Sequence, residues 1–289
     1  MRCFWWAAVA AAFSALTCLY PSEASAATAA KVVTFPSGGG KRVSAILMLP
    51  KGAGPFPLVD NIHGCGGLFR PKRKILNPAR EDWAKRFVAA GYAVLLPDSY
   101  DSRGVREICS YPANKWPVTM IEHLQDVLSS AIWASRQPFT DKNRIAVVGW
   151  GTGGTAVLRA LDPAMRRFHA LDIKAAVVIY PGCNKWLENG SNFRPSPMPH
   201  IFMGAADDWA HPAACKALAD KWGSPIMLYP GAYHNFDVPD QKVGVEQTGQ
   251  GKIHSGTNPA ARKAVIKEVM AILRSAFAPV GAGSVSGRN

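Results

Sequence analysis

The sequence predicts an α/β fold whose central sheet is mostly parallel and flanked by helices on both faces. Two observations carry the prediction. Short β-branched or aliphatic runs alternate with amphipathic helical patterns along most of the chain, as crossover connections between parallel strands require. In addition, the run Ile145-Ala146-Val147-Val148 enters the glycines Gly149, Gly151, Gly153 and Gly154 just before a helical pattern, so that strand and helix meet at a sharp bend.

Residues 31–35 and 42–49 read as opening strands around the turn former Ser37-Gly38-Gly39-Gly40. Residues 58–62 form the next strand, which ends in His63-Gly64-Cys65-Gly66-Gly67. A helix over 79–90 stops at Gly91, a C-cap residue, and the strand 92–96 follows. From Pro117 onward Ile121, Leu124, Leu128 and Ile132 recur at helical spacing, and Pro138 closes that helix. Then come a central strand over 144–148, a helix over 153–161, a strand over 174–180 and a Pro- and Asn-rich excursion over 181–199. A strand over 200–203, a helix over 212–222 and a strand over 226–229 continue the alternation. A last helix places Ile266, Met270, Leu273 and Phe277 on one face.

The first 26 residues are of another kind: Arg2, an apolar run over 4–19, then Ala24-Ser25-Ala26. That order is a secretory signal, and the run is shorter than the roughly 20 residues of a spanning helix, so no stable membrane insertion is expected after cleavage. Residues 27–278 then form one domain and 279–289 a disordered tail, in an exported, periplasmic or secreted protein. The formal charge is +13, but Lys and Arg are scattered and the one cluster, over 70–74, lacks aromatic interleaving, so a nucleic-acid partner is not expected. Beyond the signal stand Cys65, Cys109, Cys183 and Cys215, an even set in an oxidising compartment. Of the three pairings, Cys65–Cys109 with Cys183–Cys215 is preferred, because each pair would join neighbouring loops at one end of the sheet. No spacing argues for zinc, and no cofactor is expected.

The glycine bend is the context of a G-x-S-x-G nucleophile elbow, with Gly151 at the central position and Trp150 and Thr152 beside it. Glycine suits the strained backbone but offers no hydroxyl or thiol. The same residues match G-x-G-x-x-G, yet a dinucleotide turn belongs on the first strand of its unit, and Asp172 precedes a strand instead of ending one. Downstream, Asp207-Asp208-Trp209 follows one strand and His234 follows the next, which is the chain order nucleophile, acid, histidine. Asp207 is preferred as the acid for its three-residue offset from Gly204, with Asp208 as the alternative. The loop over 63–67 supplies backbone N–H groups suited to an oxyanion hole.

Together with Gly91-Tyr92-Ala93-Val94-Leu95-Leu96-Pro97-Asp98-Ser99, Arg103-Gly104 and Tyr233-His234-Asn235-Phe236-Asp237, these motifs make the chain similar to the dienelactone hydrolase family, of the α/β-hydrolase fold. The resemblance implies hydrolysis of a small-molecule ester or lactone, His234 as general base, Asp207 as its orienting carboxylate, and the N–H groups of Cys65 and Thr152 as the oxyanion hole. Where the family has Cys or Ser, this chain has Gly151, so an enzyme needs another attacking group, either a displaced side chain such as Cys65 or a water. A binding protein that has lost the chemistry is the competing reading. For the substrate, Arg103 is a candidate carboxylate holder, and Trp150, Phe69, Tyr100 and Trp209 candidate pocket aromatics. His63 is expected to brace its loop; His123, His169 and His200 are expected to be core or surface residues; His211 and His254 fall near the cleft.

Overall fold

The computed structural model describes residues 30–70, 75–167, 171–183 and 193–279. The signal segment, the tail beyond 279, His169 and most of the basic cluster over 70–74 lie outside them. Eight strands form one sheet: β1 (Lys31–Pro36), β2 (Arg42–Met48), β3 (Phe56–Ile62), β4 (Ala93–Asp98), β5 (Thr140–Trp150), β6 (Ile173–Ile179), β7 (His200–Gly204) and β8 (Ile226–Tyr229). Their spatial order is β1-β2-β4-β3-β5-β6-β7-β8, with β2 antiparallel to β1 and β4 and every later pairing parallel. All six residues of β4 are buried. Since successive side chains point to opposite faces, that burial requires cover on both sides of the sheet.

The cover comes from α1 (Pro78–Ala89), α2 (Met120–Ser135), α3 (Thr152–Ala160), α4 (Pro163–Arg167), α5 (Pro212–Trp222) and α6 (Pro259–Ala276). Of these, α1 packs on β3 and β4, α2 and α3 on each other and on β5, and α6 on β6. Thr119 and Glu122 form a reciprocal capping box, so α2 begins three residues after Pro117, where the cap satisfies its first N–H groups. A hairpin, β9 (Gly244–Thr248) with β10 (Gly251–Ser255), has no counterpart in the sequence expectations. On β9, Val245, Glu246 and Gln247 are all exposed, and on β10 the one apolar residue is Ile253, so hydrophobic alternation gives no signal there.

Both disulfides join the expected partners, Cys65 with Cys109 and Cys183 with Cys215, at Cα separations of 5.0 and 4.9 Å. The first ties the loop after β3 to the loop that precedes α2. The second ties the loop after β6 to α5.

Beneath the bend between β5 and α3 lies a fully buried carboxylate, Asp237. It accepts hydrogen bonds from the indoles of Trp83 in α1 (2.7 Å) and Trp150 at the end of β5 (2.8 Å), and from the Tyr180 hydroxyl after β6 (2.6 Å). Arg80 lies 3.8 Å away, its guanidinium 3.5 Å over the Trp150 ring. A second buried acid, Asp60 on β3, accepts from the Ser130 hydroxyl of α2 at 2.5 Å. Burial pushes the Asp60 carboxyl up to about 8, against the smaller downward pull of that hydroxyl.

Two outcomes follow from these acids. Asp237→Ala leaves Arg80 and three donors buried without their acceptor and is expected to cost about 3–5 kcal/mol, read as a lower urea midpoint at constant slope. For Asp60, the unfolded carboxyl ionises near pH 4 while the folded one stays protonated to about 8, so each rise in pH between those values favours unfolding. The parent should therefore lose more stability between pH 5 and pH 8.5 than Asp60→Asn does. Parallel pH profiles of the two would contradict the assignment.

Candidate active site

The bend is built by close approach of strand and helix. A Cβ at Gly149 would lie 2.7 Å from the Gly153 carbonyl oxygen, and one at Gly153 would lie 2.7 Å from the Ile62 carbonyl oxygen, so neither position tolerates a side chain without a shift. Gly151, between them, has φ 51° and ψ −120°. Among the described residues and within 4 Å, a Cβ there would meet, outside its chain neighbours, only the His234 Nε2 at 3.8 Å and the Gly64 Cα at 3.9 Å. The central position of the bend therefore faces the imidazole with no side chain between them.

His234 follows β8 on a loop held by β10: its carbonyl accepts from the Gly256 N–H at 3.0 Å, and it bridges to Ser255. The ring lies between Tyr180 and Trp209, at centroid distances of 4.4 and 4.7 Å. Its Nδ1 and the Asp207 Oδ2 are 2.8 Å apart. The other Asp207 oxygen accepts from the N–H groups of Trp209 (2.9 Å) and Ala210 (2.8 Å). Burial pushes the Asp207 carboxyl upward, but the neighbouring imidazole and these hydrogen bonds together hold it below the usual carboxylate range. An imidazole fixed at Nδ1 by an ionised carboxylate presents Nε2 as a proton acceptor.

The neighbouring acid is engaged elsewhere. Asp208 takes the backbone N–H and the Nδ1 of His254, at 2.9 and 2.7 Å, on the exposed side of the loop. Of the two acids, Asp207 is thus the one paired with His234.

Opposite the imidazole, the loop after β3 comes against the bend: a Cβ on Gly64 would lie 3.0 Å from the Trp150 carbonyl oxygen. The loop closes its own turn with the Gly67 N–H on the Gly64 carbonyl (3.1 Å), and the Cys65 N–H takes no part in that turn. Thr152 is the first residue of α3, and an N–H in the first helical turn has no intrahelical acceptor. His63 braces the loop as expected. Its Nδ1 faces the Gly64 carbonyl at 2.8 Å and must donate to it, while Nε2 accepts from the Ser99 N–H at 3.2 Å, which fixes one neutral tautomer. Burial lowers its pKa accordingly.

Two expected substrate contacts are not brought to the cleft in that form. Arg103 is buried against α2, with Nη1 and Nη2 on the two oxygens of Asp126 at 2.8 and 3.1 Å and Nη1 also on the Ser99 carbonyl at 2.6 Å. Its charge is matched by a fully buried carboxylate, so it serves the packing of the loop after β4 on α2. Trp150 borders the cleft, but its indole is 1% exposed and held by Asp237 and Arg80. Tyr100 is fully buried, and Phe69 packs on the core. Trp209, against the His234 ring, does line the cleft, as does His211. His123 is buried beside the His63 ring at 5.2 Å, and His200 is half-buried at the start of β7. Sequence reasoning gave no role to Asp237, Tyr180 or Arg80, whose importance lies in contacts between distant segments. The cleft has a volume of about 1580 Å³, larger than most small-ligand pockets, and the hairpin residues Glu246, Gln247 and Thr248 form part of its wall.

Comparison with known proteins identifies the family and the fold. The sequence profile of the dienelactone hydrolase family matches residues 43–277. No curated protein sequence matches the chain. Among solved structures, a candidate dienelactone hydrolase from Klebsiella pneumoniae subsp. pneumoniae superposes with a TM-score of 0.62 at 20% identity, covering 86% of this chain and 98% of that one. A dienelactone hydrolase-like promiscuous phosphotriesterase from metagenomic libraries gives 0.61 at 17% identity, covering 88% of this chain and 100% of that one. An esterase from Pyrobaculum calidifontis gives 0.58 at 18%, with 88% of each chain covered. With the strand order, the bend and the histidine loop in place and the profile spanning most of its length, this chain belongs to the dienelactone hydrolase family.

Proposed function

We propose that the chain is an exported hydrolase of small carboxylic esters or lactones. In this reading His234 is the general base, Asp207 orients it, and the N–H groups of Cys65 and Thr152 stabilise the developing oxyanion. One observation carries the proposal: His234, held by Asp207 at 2.8 Å, faces the central position of the bend at 3.8 Å from where a Cβ would stand. Such a pair is costly to keep for packing alone, because Asp207 is buried and ionised and its stability rests on this partnership. Family membership and the esterase among the structural neighbours support the same class of reaction. Export is supported by the leader pattern in the sequence and by two disulfides, which persist in oxidising compartments.

The second reading, a binding protein with an inherited cleft, is favoured by Gly151 alone. The two separate on a short-chain aryl ester. The hydrolase reading expects measurable turnover by the parent, reduced about 10²–10⁴-fold in His234→Ala, as removal of a general base requires. Equal rates for the parent and His234→Ala would leave the binding reading standing. Gly151→Ser and Gly151→Cys meet no obstructing atom at the Cβ position, pay about 1–3 kcal/mol of backbone strain at φ 51°, and are expected to raise kcat.

A further inference from the structure

We infer that this enzyme hydrolyses its substrate in one displacement, with a water held at Gly151 attacking the acyl carbon directly and no acyl-enzyme formed. The inference rests on the hydrolase reading of the same site and concerns only the identity of the attacking atom.

The side-chain nucleophiles around the bend are committed elsewhere. Cys65, in the loop facing the bend, is bonded to Cys109, and Cys183 after β6 is bonded to Cys215. The Thr155 hydroxyl, one turn into α3, accepts from the Gly182 N–H at 2.8 Å and has the Gly182 carbonyl at 3.1 Å for its own proton. The Tyr180 hydroxyl donates to Asp237. The Thr152 hydroxyl lies 3.4 Å from the buried Tyr100 hydroxyl. Among the described residues, none of these groups hydrogen-bonds the His234 Nε2. What Nε2 does face, 3.8 Å away, is the point where a Cβ on Gly151 would stand, and the Gly64 Cα lies 3.9 Å from the same point. That spacing accommodates an oxygen at the usual ~2.8 Å from Nε2, in the place a serine hydroxyl would take in a relative that has one.

The step balances without any further reactant. The water oxygen forms the new bond to the acyl carbon while its proton passes to the His234 Nε2. Charge collects on the carbonyl oxygen, opposite the Cys65 and Thr152 N–H groups at the α3 terminus. The intermediate collapses with cleavage of the bond to the leaving oxygen, and the imidazolium returns the proton to that oxygen. Acid and alcohol leave, and the protein ends as it began. Asp207 stays ionised throughout and stabilises the transient imidazolium.

The test mixes the full-length parent protein, at stoichiometric concentration, with p-nitrophenyl acetate and follows both nitrophenolate release and the mass of the quenched protein. Linear release without a burst and an unacetylated mass are expected, with the rate falling at least about 10²-fold in His234→Ala. Gly151→Ser is expected to switch the enzyme to a burst and a transient acetyl adduct. An acetyl group that appears on any side chain of the parent and decays at the turnover rate, His234 itself included, would overturn the inference while leaving the hydrolase reading intact. Parent turnover no faster than His234→Ala would remove the hydrolase reading and this inference together. If Gly151→Ser fails to fold, the parent and His234→Ala measurements decide the matter alone.

Discussion

The buried carboxylate of Asp237 fixes the distances on which the site depends. Its three short hydrogen bonds come from α1, from the last residue of β5 and from the residue after β6, and it stands three positions beyond His234. Trp150 precedes Gly151 directly, so the same anchor holds the bend and the imidazole loop to one frame. A carboxylate can do this in the interior because every donor it collects offsets part of its lost hydration, and Arg80 supplies the opposite charge nearby. Removing any one of these partners would loosen two segments at once. An apolar residue at 237 could fill the space but could not draw two indoles and a phenol to a single point.

This frame surrounds Gly151, a position with no side chain. At φ 51° and ψ −120° a side chain would be strained, and glycine relieves that strain. Around it stand the buried Asp207–His234 pair and, opposite the imidazole, the loop after β3. In the proposed hydrolase reading these are parts that a small external nucleophile also needs.

The fold was legible because the central strands write largely apolar runs, interrupted in β3 by the buried Asp60 and Asn61, and the crossover helices a 3.6-residue period. The site was legible where local backbone chemistry demands particular residues: Gly149 and Gly153 at the close approach, and His63 bracing its loop. Elsewhere local pattern is silent. The β9–β10 hairpin exposes its one apolar residue on β9, Val245, and carries only Ile253 on β10, so neither strand writes a hydrophobic alternation, although its end supports the His234 loop. Arg103 reads as a free cation on a strand-end loop until Asp126, 23 residues later and fully buried, is seen to take both its nitrogens. Likewise Trp150 looks like a cleft aromatic, and only Asp237, 87 residues on, shows why its ring turns inward. These contacts depend on which segments the topology brings together, and no window of sequence contains both partners.

The adjacent acids show how burial assigns roles that sequence leaves equivalent. Asp207 and Asp208 each meet the Nδ1 of a histidine at nearly the same distance, 2.8 and 2.7 Å. The Asp208–His254 pair is 39% and 46% exposed, and water screens it to the fraction of a kcal/mol typical of surface pairs. The Asp207 side chain is fully buried and its histidine 8% exposed, so the same contact acts in a low dielectric, where it can set the orientation of the ring. Two backbone N–H groups complete the Asp207 shell and keep the carboxylate ionised despite its burial. Alternation along the loop sends one acid inward and its neighbour out to solvent, and that difference of direction separates a pair able to move a proton from one that only decorates the rim.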